Sequence, residues 1–206
     1  MTASAKSPDP SPPASGTVPT EEQFIRDTLE NRHTRAIFER WSELALPDGW
    51  LVAGCLFQTV WNLRSGAAPE ARIKDYDLFY FDGSDLSEEA EQQVQARVNE
   101  VLSGSEFIVE AKNQARVHLW YFDHFGYQYP KLQSACDGID RFLIKGTCVG
   151  LRPSAAGWNL YAPHGLAVLY EGKLSPNPLT HHRLLFEQKA ASYQSRWPWL
   201  RIDTDD

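Results

Sequence analysis

The chain has 206 residues, a net charge of −7 and a pI near 5.4, and 12% of it is aromatic, with seven Trp. That length holds one domain with a full core. The aromatic content excludes a wholly disordered chain, and the acidity excludes a general nucleic-acid surface, which needs cations against phosphate. Cys55, Cys136 and Cys148 are widely spaced with no C-x-x-C, so neither a disulfide framework nor a cysteine zinc site is indicated. The absence of an 18-residue apolar run or a charged-then-apolar leader leads to the expectation of a soluble, cytoplasmic chain with no membrane partner.

Residues 1–19 are mostly Pro, Ser, Ala and Thr with almost nothing to bury, and are expected to be a disordered tail ahead of a domain spanning 20–206. Thr20 is a good helix cap, with Glu21 and Glu22 behind it at the positive end of the helix dipole. Apolar residues from Phe24 to Leu46 follow a helical face, with a break expected near His33 and Thr34. A Pro-Asp-Gly turn then leads to a short apolar strand, Trp50 to Ala53; Gly54 follows, and "CLFQTVWNLRSG" reads as a helix.

The stretch 72–82, "RIKDYDLFYFD", reads as a strand. The clearest helix follows it, with Ala90, Val94, Val98, Val101 and Leu102 on one face and Gly104 at its end. "EFIVEA" is another strand. Farther on, "LQSACDGIDRF" reads as a helix of about three turns, "LIKGTCVGLRP" and "GWNLYAP" as strands, and "HHRLLFEQKAASYQSRWPWL" as a helix stopped by Pro198. The expected fold is therefore α/β (α+β), a mixed sheet flanked by helices.

Alternation in the 72–82 strand puts Asp75 and Asp77 on one face and Tyr76, Leu78 and Tyr80 on the other. Two carboxylates side by side repel unless a cation lies between them, and an oxygen site of this kind suits Mg²⁺ or Mn²⁺. A solvated strand end would give the same pattern. Two further features favour the metal. Gly54, at a strand-to-helix junction, permits close backbone approach to a phosphate. Glu110, on the next strand, offers a third carboxylate. Together they describe two-metal phosphoryl or nucleotidyl transfer, in which one metal activates the attacking oxygen and the other neutralises the triphosphate and its leaving pyrophosphate.

Other polar residues lie near these. Gln58 and Asn62, one turn apart on the helix after Gly54, are placed to line a nucleotide pocket. In "NQARVH", Asn113, Arg116 and His118 are candidates for phosphate contact or acceptor orientation, or for a network tying loop to core. If 113–118 is extended, Gln114, Arg116 and His118 share one face. Asp82, followed by Gly83, is read as a turn residue, and the 181–182 histidine pair as a solvated helix start.

"VAGCLFQTVWN", "IKDYDLFYFD" and "KNQARVHLWY" resemble three blocks of an uncharacterised nucleotidyltransferase-like family within the DNA polymerase β-type nucleotidyltransferase superfamily. "CVGLRP", "YAPHGL" and "SPNP" resemble later blocks, so the resemblance spans roughly Thr20 to Ile202. It implies a nucleotidyltransferase-like sheet. Gly54 and Cys55 stand at the Gly-Gly or Gly-Ser phosphate turn, and Asp75 and Asp77 at the metal pair. Cys55 departs from the turn pattern, leaving its backbone N–H but no serine hydroxyl. The implied activity is transfer of a nucleoside monophosphate from an NTP to an unknown acceptor. The alternatives are a non-catalytic nucleotide- or metal-binding module, and a metal-dependent phosphodiester hydrolase.

Overall fold

The computed structural model describes residues 18–180 and 182–203. The tail expected over 1–19 lies outside them except for Val18 and Pro19, as does His181 of the histidine pair.

Helix α1 (Glu21–Leu29) starts where Thr20 accepts the Gln23 N–H. The break comes earlier than 33–34, because Asn31 accepts from the N–H groups of His33 and Thr34 and so caps a new helix, α2 (Arg32–Glu39). The short α3 (Trp41–Leu44) precedes β1 (Trp50–Val52), which is buried throughout. Helix α4 (Gly54–Arg64), β2 (Asp75–Tyr80), α5 (Glu88–Val101) and β3 (Ile108–Asn113) complete the expected series. β2 stops short of residue 82 because the Phe81 N–H turns away to the Pro47 carbonyl. Asp82 accepts from the backbone and hydroxyl of Ser84, the turn role expected of it.

Residues 113–118 are not extended. The Asn113 side chain accepts the Ala115 N–H, which starts a 3₁₀ turn over 114–116 that runs into α6 (Val117–Phe125), a helix the sequence reading lacks. Helix α7 (Ala135–Ile139), held by a Ser134–Asp137 capping box, is shorter than three turns. Only the second half of "LIKGTCVGLRP" is strand, β4 (Gly150–Ser154), because Lys145–Thr147 form another 3₁₀ turn. Then follow β5 (Gly157–Tyr161), α8 (Ala167–Tyr170), β6 (Lys173–Leu174), α9 (Arg183–Arg196) and β7 (Arg201–Ile202). α9 ends at extended Trp197, as the residue before Pro198 must.

Five strands form one sheet in the order β3-β2-β1-β4-β5, with β2 and β3 parallel and the other pairs antiparallel. β6 and β7 form a second, parallel pair. This is the mixed α/β layer expected. The main core lies on the face of Tyr76, Leu78 and Tyr80, against Phe24 of α1, Leu56 and Val60 of α4 and Val98 of α5. On the other face a smaller cluster of Trp50, Val52, Ala135, Ile139 and Cys148 packs on Phe79 and Phe81. Gly150 lets α7 press onto the sheet there, since a Cβ would stand 2.7 Å from Ile139 Cδ1. That cluster covers the Phe79–Phe81 end of β2, and Asp75 and Asp77 occupy the other end.

Candidate active site

Burial along β2 alternates, with Tyr76, Leu78 and Tyr80 buried and Asp75, Asp77 and Phe79 part-exposed, so the two aspartates share the face away from the main core. The parallel register pairs Asp77 with Glu110 of β3, and the antiparallel register on its other side pairs it with Val52. Paired residues of neighbouring strands face the same way, so Glu110 joins the aspartates. Burial, then the charges of Asp75 and Glu110, push the Asp77 carboxyl up to about 7. Glu110 is half-exposed and pairs with Lys112, Oε2 to Nζ at 3.6 Å. Among the described residues no three His, Cys, Asp or Glu side chains close into a cage that could hold an ion by themselves.

Beside Asp77, β1 turns into α4. The strained residue of the turn is Ala53, with φ 59° and ψ −132°, a conformation that suits glycine. Ala53 O accepts from Leu56 and Phe57, while Gly54 and Cys55 begin the open first turn of the helix, where N–H groups have no carbonyl behind them. The Cys55 thiol points inward and donates to Val52 O at 3.3 Å; burial pushes it well up. What Cys55 offers to the cleft is its backbone alone. Gln58 folds back over Gly54, where a Cβ would lie 2.6 Å from its Nε2, and its Oε1 accepts from Arg196 Nη1 at 3.3 Å.

The fold thus assembles Gly54, Cys55, Gln58, Asp75, Asp77 and Glu110 at one end of the sheet. Asn62 is buried and fully engaged: Nδ2 donates to Pro69 O and Ala71 O at 3.0 and 2.6 Å, and Oδ1 accepts from the Trp197 indole at 2.9 Å. Asn113 is the last residue of β3, at its opposite end, and Arg116 and His118 lie beyond it. Asn113 exchanges hydrogen bonds with the Asp82 backbone, and Arg116 pairs with Glu91 and donates to Leu86 O. His118 sits in the first turn of α6. Sequence reasoning missed Ala53 and the face of α9 that meets the acids, where Lys189 and Tyr193 are close enough to interact electrostatically with Asp77. The i, i+4, i+7 spacing of Lys189, Tyr193 and Arg196 is visible in the sequence, whereas the surface it faces is set by tertiary packing.

A family model described as "Nucleotidyltransferase" matches residues 39–202. The chain belongs to this nucleotidyltransferase family. Among solved structures, the chain is similar to one described as an NMR structure that "reveals a CCA-adding enzyme head domain". The two share 24% identity with a TM-score of 0.74, over 92% of this chain and 98% of the other, which is a likeness of fold. No curated protein matches. Within this nucleotidyltransferase the matched segment contains the turn, both aspartates, Glu110 and α9. Among the described residues no helix is long and apolar enough to cross a membrane.

Proposed function

We propose that this nucleotidyltransferase moves a nucleoside monophosphate from an NTP to an acceptor hydroxyl, with Mg²⁺ or Mn²⁺ held by Asp75 and Asp77. The observation that carries the reading is geometric: Asp75, Asp77 and Glu110 share one half-buried face, with Glu110 in register beside Asp77. Burial, and then the charges of its two neighbours, disfavour the Asp77 carboxylate, and a cation there would offset both. The donor set fits such an ion. Mg²⁺ is commonly held by one or two carboxylates plus substrate phosphates, so an all-protein cage is not required. When bound, the ion would neutralise phosphate charge and polarise the attacking oxygen.

The chain's own groups supply the rest. The open turn at Gly54 and Cys55 presents N–H groups to phosphate oxygens beside the acids. The acceptor oxygen bonds to the α-phosphorus, the α–β anhydride bond breaks and pyrophosphate leaves. The acceptor proton would pass to a carboxylate, a role this reading gives to Glu110, which is half-exposed and in register beside Asp77. Asn62, Asn113, Arg116 and His118 act in this reading only through the framework. The proposed unit spans 20–206, and the proposed setting is the cytoplasm, where three unpaired thiols stay reduced.

The test is titration calorimetry of Mg²⁺–NTP with the full chain, together with pyrophosphate release in the presence of cell extract. Loss of binding in Asp75→Asn and Asp77→Asn supports the site. Binding without pyrophosphate release reduces the protein to a nucleotide-binding module, phosphodiester cleavage without transfer marks a hydrolase, and no binding of any NTP overturns the proposal.

A further inference from the structure

Helix α9 approaches the site: Lys189 and Tyr193 lie within electrostatic reach of Asp77, and Arg196 bonds Gln58 over the Gly54 turn. Two cations approach the Tyr193 ring, the Lys189 ammonium 5.8 Å from the centroid and the Arg196 guanidinium 5.0 Å from it. Arg196 is held further by Trp197, whose ring centroid is 4.7 Å away, and by Nε donating to Ser192 O at 3.2 Å. Arg72 donates to the Arg196 carbonyl at 2.6 Å, bringing a third cation to the same helix end.

Among the described residues neither Lys189 nor Arg196 forms an ion pair with a carboxylate, although Asp77 lies within electrostatic reach of Lys189. Aromatic rings flank both cations instead; Arg196 commits Nε to Ser192 O and Nη1 to Gln58, and the Lys189 ammonium and the rest of the guanidinium face no carboxylate among the described residues. The acceptors that Arg196 does hold are neutral, the Ser192 carbonyl and the Gln58 carboxamide, and the second lies over the Gly54 turn. A phosphate oxygen at that turn would offer the same guanidinium a charged acceptor, and charge-assisted bonds are about twice as strong as neutral ones.

We propose that Lys189 and Arg196 form a polyphosphate subsite, taking the β- and γ-phosphates of the nucleotide, with Arg196 exchanging its bond to Gln58 for one to a phosphate oxygen. This assignment rests on the nucleotidyl-transfer reading for the identity of the anion. It divides the cleft by charge: the carboxylates face the α-phosphate and acceptor, and the α9 cations face the group that leaves as pyrophosphate.

The experiment is titration of inorganic tripolyphosphate into the full chain in EDTA, where no metal bridges acid to phosphate, followed by titration of Mg²⁺–NTP. Lys189→Gln is the decisive variant, because Lys189 is exposed and carries no core packing; Arg196→Gln also loses its stack on Trp197 and is read only with thermal unfolding checked. Each variant is expected to weaken tripolyphosphate binding by about tenfold, one charge-assisted contact being worth roughly that factor, and to flatten its salt dependence. Lys189→Arg is expected to restore most of the affinity. Asp75→Asn and Asp77→Asn are expected to strengthen tripolyphosphate binding in EDTA by removing repulsion.

Wild-type affinity in both α9 glutamine variants, for tripolyphosphate and for Mg²⁺–NTP, overturns the subsite and leaves the metal-nucleotide reading intact. Tripolyphosphate binding that depends on Lys189, in a protein that ignores every NTP, keeps the anion subsite and removes the nucleotide reading. A wild-type chain that binds neither ligand removes both.

Discussion

The indole N–H of Trp197 donates to Oδ1 of Asn62 at 2.9 Å, joining the end of α9 to the last turn of α4 across 135 positions of sequence. The same asparagine holds the carbonyls of Pro69 and Ala71, in the loop that delivers Asp75 to the cleft. Asn62→Ala would leave a buried indole N–H and two carbonyls without partners. Each such group costs about 1–3 kcal/mol, so a stability loss of about 2–4 kcal/mol is expected in urea unfolding without nucleotide. A variant as stable as the parent would sink the view that Asn62 is a framework residue.

Asp77 makes the metal-free protein sensitive to pH, and the sign can be worked out. Its carboxyl is raised from 3.8 to about 7 in the folded chain, so between those values the folded state holds a proton that the unfolded state has released. Stability is therefore fully present below the unfolded value and is lost as pH rises toward about 7, by at most roughly 4 kcal/mol. Thermal unfolding in EDTA should show Tm falling across this window. Asp77→Asn should flatten the profile and unfold at higher temperature than the parent at alkaline pH. A parent profile that rises with pH there would mean the carboxyl is not raised.

Arg116 and Glu91 form a largely buried ion pair that closes α5 over the exit of β3. Arg116→Gln leaves Glu91 facing a low-dielectric pocket, and removing one partner of such a pair destabilises by about 2–4 kcal/mol. Affinity for Mg²⁺–NTP in the folded fraction should stay within about twofold, far under the tenfold that one direct charge-assisted contact is worth. Measuring both on the same preparation separates a framework arginine from a phosphate ligand, and a tenfold loss of affinity with unchanged Tm would reverse the assignment.

The strand alternation that pairs Asp75 with Asp77 was legible because a side-chain period of two is a local property of the backbone. The register that sets Glu110 beside Asp77 is not local. It depends on a helical crossover, and the sequence could offer Glu110 only as a candidate by position. The extended reading of 113–118 failed for a local reason, since Asn113 is a good cap and its side chain turns the chain into a helix. Asn62 and Arg116 look like ligands in sequence because amides and guanidiniums serve ligands and frameworks alike, and only their partners distinguish the two. Lys189, Tyr193 and Arg196 were readable as one helix face, whereas Asp75 and Asp77, which this face approaches, come from a strand more than 100 residues upstream.

Gly54 draws the eye in the sequence, yet the backbone strain lies one residue earlier. Ala53 holds φ 59° at the junction where β1 ends and α4 begins, kept there by its N–H to Val149 O and by the two helix N–H groups on its carbonyl. A residue with a Cβ pays about 1–2 kcal/mol for positive φ, whereas glycine adopts it freely and gives back about 0.5–1 kcal/mol through a more flexible unfolded chain. Ala53→Gly is therefore expected to raise stability by about 0.5–1 kcal/mol in urea unfolding, with Mg²⁺–NTP affinity maintained because the turn keeps its shape. Gly54→Ala should behave differently: φ there is helical, so strain is small, but the new methyl would occupy the space of Gln58 Nε2 and push that side chain off the turn. Its effect should appear in phosphate affinity, with stability changed by less than about 1 kcal/mol. If Ala53→Gly destabilises the protein, the positive φ at residue 53 is not a feature of the folded turn.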